Sequence, residues 1–386
     1  MSQRLCWVCV VAIVFLCVAV VGEQLRDALT PGFEVVPVTS PPIAEKSFYH
    51  EEIINNDQNL PFVHVGSVVE FPGGVLGALW YGGPYEYCHD NSIYFCTEQN
   101  GVWQKPHAIM TPEKAEQDLG RPIRCLGNPL FLPNNDGSLR LLFVTIAMGR
   151  WSGAQLNTCL SRDGGLTWSR AERLTLSPLC NFSELVRNRP MPLLNGAGTA
   201  WCIPLYQELI GKFPELLWLK ERAGQVVYSK SRIAGGCATL QPSLIPLDDK
   251  QAVVLLRDWT HNKKIFVSHT GNAGLSWTNP VPTNLPNPDA GISGLRLSDG
   301  RLIVAYNDST MARENFSLAI SADNGASWKK LYRIESDPDA FSSYPFMLRT
   351  KDGLLHVVFT HDGDDIKMAS FNETWVKEQE ARNLQP

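Results

Sequence analysis

The sequence SRDGGLTW, residues 161–168, recurs in similar form as TGNAGLSW at residues 270–277 and as SADNGASW at residues 321–328. Each copy has the composition of a tight turn. Its Asp or Asn can accept hydrogen bonds from amides of the same turn, and its Gly supplies backbone freedom. The final Trp is expected to pack beneath the turn. A repeat of this length predicts a fold that is built from repeated units.

Two series of residues extend this repeat along the chain. Tryptophans that follow such a period are Trp103, Trp168, Trp218, Trp277, Trp328 and Trp375. Six apolar segments also break at a small turn in the manner of a hairpin, at Gly74, Gly137, Gly198, Asp249, Gly300 and Gly353. Spacings of about 50 to 60 residues are typical of propeller blades. The chain is therefore predicted to be all-β, a six-bladed β-propeller of four-stranded antiparallel blades whose termini meet in one blade. A β-sandwich is the alternative, but its strands would recur at closer spacing.

The N-terminus and the charge balance indicate where the protein acts. Residues 1–22 contain Arg4, then an apolar stretch that ends in small residues. This predicts a cleaved signal peptide, one domain over residues 23–386, and a secreted or secretory-pathway location. The alternative is an uncleaved membrane anchor, because the stretch approaches the length of a membrane span. The net charge is −5 with scattered basic residues, so no nucleic-acid partner is expected, and no membrane partner unless the anchor is retained.

Cysteines and glycosylation sequons are compatible with export. Seven cysteines follow residue 22, an odd number, and a bridge between Cys88 and Cys96 is expected. The sequons are Asn181, Asn307, Asn315 and Asn372. No His, Cys or Asp cluster has the spacing of a metal motif, and no nucleotide fingerprint occurs, so neither a metal nor a cofactor is expected.

A ring of polar residues is expected at one mouth of the propeller channel, where the inner strands begin. Counting back from each hairpin turn gives His64, Asn128, Asn188 with Arg189, Gln241, Gly291 and Tyr344. Structural strands would more often start with Val, Ile or Thr, so this ring is predicted to line a ligand site. Arg257 and Arg313 fall near the same rim, and together with a facing Tyr they indicate a carboxylate clamp. Alternatively, each arginine covers apolar surface or pairs with an acid.

The chain resembles the sialidase (neuraminidase) superfamily, in its BNR/Asp-box branch, over essentially all residues after the signal. The resemblance rests on LQPSLIPL (240–247), LLRDWTHNKKIFVS (255–268), LPNPDAGISGLRLSDGRLIVAYNDS (285–309) and FSSYPFMLRTKDGLLHVVFT (341–360). It implies that Tyr344 is the nucleophile, since sialidases use a tyrosine. It also implies that Arg257 and Arg313 are two of three arginines that hold the sugar carboxylate. Asp90 is implied as the acid/base residue, with Glu86 as its rival.

Two positions depart from the family pattern. His64 stands where sialidases usually have the remaining clamp arginine, and Gln241 stands where a glutamate activates the tyrosine. A glutamine cannot accept the phenol proton, so Tyr344 would lack its usual base. His64 or an unassigned acid would then have to replace that base.

Three hypotheses follow, all with a glycan that carries a carboxylate-bearing sugar as partner. The first is an exo-alpha-sialidase type hydrolase, in which Arg257, Arg313, Asn128, Asn188 and Arg189 bind substrate. The second is a polysaccharide lyase for a rhamnosyl-glucuronate type linkage, in which His64 takes the proton α to the carboxylate. The third is a non-catalytic glycan-binding propeller, in which Gln241 marks lost activity and Trp80, Tyr81 and Tyr85 form a stacking platform.

Overall fold

The computed structural model describes residues 32–35, 46–56, 60–134, 136–177, 181–194, 200–222, 225–235, 238–335, 337 and 339–383. The predicted signal peptide and the turn predicted at Gly198 lie outside these residues. Six antiparallel sheets form a ring, which confirms the six-bladed propeller. None of the helices described is long and apolar enough to cross a membrane.

Each blade runs from an inner strand at the axis to an outer strand. The first blade contains β2 (Phe62–Glu70), β3 (Leu76–Gly83), β4 (Ser92–Gln99), β5 (Val102–Trp103) and β6 (His107–Met110). The second contains β7 (Cys125–Pro133), β8 (Leu139–Ile146), β9 (Ala154–Ser161) and β10 (Glu172–Arg173). The third contains β11 (Leu185–Val186), β12 (Met191–Pro192), β13 (Ala200–Gln207), β14 (Phe213–Arg222) and β15 (Gln225–Arg232).

The fourth blade contains β16 (Thr239–Pro246), β17 (Ala252–Asp258), β18 (Lys264–Thr270) and β19 (Val281–Pro286). The fifth contains β20 (Ser293–Arg296), β21 (Leu302–Asn307), β22 (Phe316–Ser321) and β23 (Lys329–Arg333). The sixth contains β24 (Ser342–Arg349), β25 (Leu355–His361), β26 (Asp365–Phe371) and the early strand β1 (Tyr49–Ile53). Two α-helices, α1 (Pro112–Leu119) and α2 (Glu373–Asn383), and a 3₁₀ turn at Arg150–Gly153 complete the described elements.

The sixth blade closes the ring with both ends of the domain. Strand β1 pairs antiparallel with β26, so that Tyr49 lies opposite Phe371. The ring of Tyr49 also stacks on Trp375 of α2, with centroids 4.7 Å apart. The early strand therefore completes a sheet begun by the end of the chain, as the sequence predicted.

The repeated turns have the predicted construction. In the first copy, Asp163 Oδ1 accepts from the amide of Thr167 at 2.9 Å, and Ser161 Oγ accepts from the amide of Gly165 at 2.8 Å. Trp168 lies beneath the turn and donates from Nε1 to Gly165 O at 3.1 Å. The copy that ends in Trp328 repeats the last bond at 3.0 Å.

Four inner strands carry a β-bulge at the same end. The pairing register shifts between His64 and Ser67, Gly127 and Leu130, Leu240 and Ser243, and Ser343 and Phe346. Each bulge contains a residue in the left-handed region, namely Val65 (φ 54°), Asn128 (φ 45°), Gln241 (φ 50°) and Tyr344 (φ 57°). Because bulges bend a strand and re-aim its side chains, this shared feature directs polar groups into one mouth of the channel.

Between the blades, fully buried side chains such as Trp80, Leu142 and Ile203 pack in a common cluster. Burial of a side chain of this kind contributes roughly 1.5–3 kcal/mol relative to exposure. The mouth is thus carried by a rigid, well-buried frame.

Three details of the sequence analysis need correction. Cys88 and Cys96 are both free and buried, so the expected bridge between them is not formed. Asn307 is fully buried and donates from Nδ2 to Glu314 O and Ser342 O at 3.1 and 2.8 Å. Asn372 is also buried, and its Nδ2 donates to Lys46 O at 2.8 Å. The amides of these last two sequons hold the fold together and are not accessible to a glycan.

Candidate functional site

A polar cavity of about 310 Å³ occupies the mouth at which the bulged strands begin. Inner-strand residues at the bulges supply His64, Asn128, Gln241 and Tyr344. The neighbouring strands supply Tyr81, Tyr206 and Arg257, and connecting loops supply Glu86, Tyr87, Trp151, Glu208, Lys212, Trp259 and Arg313. Most of the predicted ring therefore does come together.

Tyr344 stands at the centre of this mouth, surrounded by three arginines. The guanidinium carbons of Arg313, Arg187 and Arg257 lie 4.7, 5.1 and 5.9 Å from its ring centroid. Arg257 also donates from Nη1 to the Tyr344 hydroxyl at 3.4 Å. The aromatic ring of Tyr344 therefore has positively charged guanidinium groups on several sides.

The arginines change the acidity of this tyrosine. Burial by itself raises the pKa of Tyr344, since it disfavours the phenolate. The charges of Arg257, Arg313 and Arg187 act in the opposite direction and prevail, so the pKa of Tyr344 lies below its usual value. A phenolate is thus more accessible here than in an isolated tyrosine, although no carboxylate hydrogen-bonds to the hydroxyl among the described residues.

Arg187 was missed by the sequence analysis and is the most deeply placed of the three. It donates from Nη2 to Pro345 O at 2.6 Å and from Nη1 to Ile292 O at 3.0 Å. Gly291 makes room for it, because a Cβ there would lie 2.8 Å from the guanidinium carbon. Burial lowers the pKa of Arg187 to about 10, which still leaves it charged at neutral pH.

Two of the three arginines around Tyr344 have no carboxylate partner among the described residues. Arg257 pairs with Asp289 through Nε at 2.7 Å, but Arg313 reaches only the backbone oxygen of Asp289, at 3.3 Å. Within the described part of the chain, neither Arg187 nor Arg313 has a carboxylate at ion-pair distance. A pocket with surplus guanidinium groups favours an anionic ligand, and a carboxylate matches the fork of donors.

His64 packs against the tyrosine and is held neutral. Its ring makes an edge contact with Tyr344, with centroids 4.6 Å apart and planes at 79°, and a wider one with Tyr81 at 5.9 Å. Burial, aided by the charges of Arg313 and Arg187, lowers the pKa of His64 to about 3. An imidazole with such a pKa is a poor proton acceptor at neutral pH, so the structure does not favour His64 as general base.

Gln241 and Asn128 belong to a neutral hydrogen-bond network. Both donate from their amide nitrogens to the hydroxyl of Tyr206, each at 3.2 Å. The other end of Gln241, Oε1, accepts from Arg257 Nη1 at 3.0 Å. Gln241 therefore orients Arg257 and leaves its charge in place, whereas a glutamate at this position would neutralise it.

The outer part of the cavity carries acids and aromatic rings. Glu86 accepts a hydrogen bond from Trp151 Nε1 at 3.3 Å. Across the mouth, Lys212 pairs with Glu208 at 2.5 Å and lies 4.3 Å from the ring centroid of Trp259. Aromatic faces of this kind commonly stack on sugar rings or cations.

Several predicted site residues lie elsewhere. Asp90 does not line the cavity; its side chain is 72 % exposed and faces His89, while its rival Glu86 is at the mouth. Asn188 is buried below and ties two blades together by donating to Gln241 O and Pro242 O. Arg189 lines a different cavity, at the opposite mouth.

Of the expected stacking platform, Trp80 is fully buried and Tyr85 is outside the lining, so only Tyr81 is present. Among the described residues no group of acids, histidines or cysteines could hold a metal ion.

Comparison with known proteins identifies the family of this chain. The BNR repeat-like domain family matches residues 74–357, well over half of the chain. The chain belongs to this family. No curated protein matches it.

Solved structures share the fold of this BNR repeat-like protein. A Hadza microbial sialidase is 16% identical with a TM-score of 0.68, covering 85% of this chain and 70% of its own. The intramolecular trans-sialidase from Ruminococcus gnavus is 12% identical with a TM-score of 0.67, covering 87% and 98%. A protein of unknown function from Dyadobacter fermentans is 14% identical with a TM-score of 0.65, covering 83% and 97%. At these identities the likeness concerns the fold.

Proposed function

We propose that this BNR repeat-like propeller is an exo-acting glycoside hydrolase of the sialidase type, which removes a terminal carboxylate-bearing sugar from a glycan. The observation that carries the proposal is the tyrosine at the mouth with three arginines around it, two of which have no carboxylate partner in the described chain. The sialidases that share this fold support it.

The geometry suits a sugar whose carboxylate is bonded to the reacting carbon. Arg257 and Arg313 both approach Tyr344, so a carboxylate held by their guanidinium groups would keep the adjacent carbon close to the hydroxyl. In sialic acids that adjacent carbon is the anomeric centre. Positioning of this kind supplies much of the rate enhancement of an enzyme.

In this mechanism the tyrosine acts as its phenolate and needs no carboxylate base. The phenol loses its proton to solvent before the attack, a step that the charges of Arg257, Arg313 and Arg187 favour by lowering the pKa of Tyr344. The phenolate oxygen attacks the anomeric carbon while the glycosidic oxygen leaves with a proton from Glu86. Water, deprotonated by Glu86, then breaks the tyrosyl–sugar bond and releases the free sugar. Glu86 takes this role instead of Asp90, since it lines the cavity and, unlike Glu208, is not paired with Lys212.

A lyase is the second candidate, favoured by the lack of a carboxylate beside the tyrosine. In a uronate the acidic proton is also on the carbon next to the carboxylate. Tyr344 would then remove that proton, and the leaving oxygen would again depart with a proton from Glu86. The pKa of His64, about 3, makes it the weaker choice for this base.

The two reactions leave different products. The protein is incubated with a sialylated glycan and, separately, with a rhamnose-capped glucuronan, and both free sialic acid and the absorbance of an unsaturated uronate are recorded. We expect free sialic acid, lost in Tyr344→Phe and retained in Tyr85→Phe, whose ring is 64% exposed and outside the cavity. The conjugated uronate alone would establish the lyase instead. Binding of either glycan without any product would identify a non-catalytic propeller and refute both.

A further inference from the structure

The opposite mouth of the channel holds a second cavity, of about 520 Å³. The inner strands begin at the mouth that contains Tyr344 and finish at this opposite mouth. Their last residues therefore line the second cavity, namely Glu70 of β2, Pro246 of β16, Arg296 of β20 and Arg349 of β24. Arg189, from the segment between β11 and β12, joins them. The convergence of strands that builds one site therefore also builds this cavity.

Three arginines in this cavity have hydrogen-bond donors without acceptors. The Nε atoms of Arg189, Arg296 and Arg349 are all buried and have no hydrogen-bond partner among the described residues. Arg189 makes no hydrogen bond or ion pair with any described residue. These Nε atoms are closed to solvent, so an anion in the cavity would meet the outer nitrogens of the guanidinium groups, whose charges favour it.

The protein uses some of the other donors of Arg296 and Arg349. Arg296 donates to Leu247 O through Nη1, and Arg349 pairs with Glu373 and donates to Arg296 O at 3.4 Å. These contacts fix both guanidinium groups in place. No described residue fixes Arg189 in this way, so its charge is not compensated by the described part of the chain.

Acids at the rim do not neutralise this charge. Glu70 accepts from the amide of Lys351 at 3.0 and 3.2 Å, and Glu34 forms no ion pair with a described residue. The rest of the wall is apolar and includes Met191, Ile245 and Leu295. The cavity thus combines guanidinium groups with an apolar surface of the size that small ligands occupy.

We propose that this cavity binds a small amphiphilic oxyanion, whose carboxylate or phosphate group lies between Arg189, Arg296 and Arg349 and whose apolar part packs on the aliphatic wall. The site is separate from the tyrosine mouth and does not depend on the reaction proposed there. Burial and the charge of Arg349 lower the pKa of Arg189 to about 10, and an anion would relieve both effects.

Calorimetric titration of the whole protein with octanoate, octyl phosphate and octanol tests this proposal. We expect both anions to bind and octanol to bind at least tenfold more weakly. The preferred anion distinguishes a carboxylate ligand from a phosphate ligand. Arg189→Met should weaken anion binding roughly ten- to a hundredfold, the usual worth of one charge-assisted bond. The matched control is Arg162→Met, since Arg162 is exposed and outside the cavity.

A second readout covers the case in which no probe has the right shape. Without ligand, Arg189→Met should raise the melting temperature, because a partly buried charge with no partner among the described residues is replaced by an apolar side chain of similar length. Arg162→Met should leave it unchanged. A lower melting temperature for Arg189→Met together with no anion binding would show that another part of the chain already satisfies the guanidinium, and the proposal would be wrong. Equal binding of octanol and octanoate would also overturn it.

Discussion

Replacement of Arg313 by alanine separates recognition of the carboxylate from the rest of the site. The guanidinium of Arg313 makes one hydrogen bond to a described residue, to Asp289 O at 3.3 Å, and its other donors have no acceptor in the described part of the chain. Its removal leaves no acid unpaired. Arg257→Ala would instead strand Asp289, which Arg257 holds at 2.7 Å. Arg313→Ala is therefore the cleaner measure of what a guanidinium contributes to the ligand.

The size of the effect follows from the number of bonds available. One charge-assisted hydrogen bond contributes about 1.5–3 kcal/mol, so loss of the Arg313 contact should weaken binding of sialyllactose roughly ten- to a hundredfold. The methyl ester of the same ligand has no carboxylate charge. Its affinity should change by less than about threefold, because only the neutral part of the contact is lost.

Titration calorimetry on inactive Tyr344→Phe protein, with and without Arg313→Ala, gives both affinities free of turnover. Arg333→Ala is the matched control, since this arginine is exposed at the end of β23 and outside the cavity. If acid and ester lose affinity equally, or if the acid loses none, Arg313 does not bind a carboxylate and the reasoning fails.

Three further predictions concern the groups around the tyrosine. The pKa of His64 is lowered to about 3 in the fold, so the unfolded chain binds a proton first as the pH falls. Wild-type protein should then lose about 2 kcal/mol more unfolding free energy than His64→Phe between pH 7.5 and 5, measured by urea titration, and parallel curves would contradict this. Gly291→Ala places a Cβ 2.8 Å from the guanidinium carbon of Arg187 and should lower turnover on the order of tenfold or more. The control Gly271→Ala, whose Cβ would have no atom within 4 Å, should leave turnover unchanged. Equal rates for the two variants would show that Arg187 does not position the tyrosine. Glu86→Gln should reduce kcat/KM by about a hundredfold while Asp90→Asn stays near wild type, and the reverse order would restore Asp90 as the acid.

The fold could be predicted because the sequence repeats its turns. The Asp-Gly turns and the tryptophans are stabilised locally, by hydrogen bonds from side chain to backbone and by packing beneath the turn. They can therefore be recognised in the sequence without tertiary information. Counting back from the turns also located His64, Gln241 and Tyr344, because their inner strands share a bulge at the same end, which keeps equivalent residues at the same height.

Counting failed where a strand is irregular. The inner strand of the third blade is split into two short pieces, β11 and β12, so the count fell on Asn188 and Arg189 and missed Arg187. One feature of the sequence could have indicated Arg187. The predicted ring has a glycine, Gly291, at one position, and the space left by its missing side chain is occupied by Arg187. Asp90 and Glu86 lie in a connection with no periodicity, so only the folded loop shows which of them reaches the cavity. The pKa values of His64 and Tyr344 likewise depend on neighbours from other blades.

In the proposed mechanism Tyr344 attacks the anomeric carbon of a carboxylate-bearing sugar. Incubation with 2,3-difluorosialic acid, followed by intact-mass measurement and peptide mapping, tests this step, because the fluorines slow hydrolysis of a covalent intermediate. We expect one sugar adduct per chain, carried by the peptide that contains Tyr344 and absent in Tyr344→Phe. Saturable binding of the inhibitor with no adduct, or an adduct on any other residue, would contradict it.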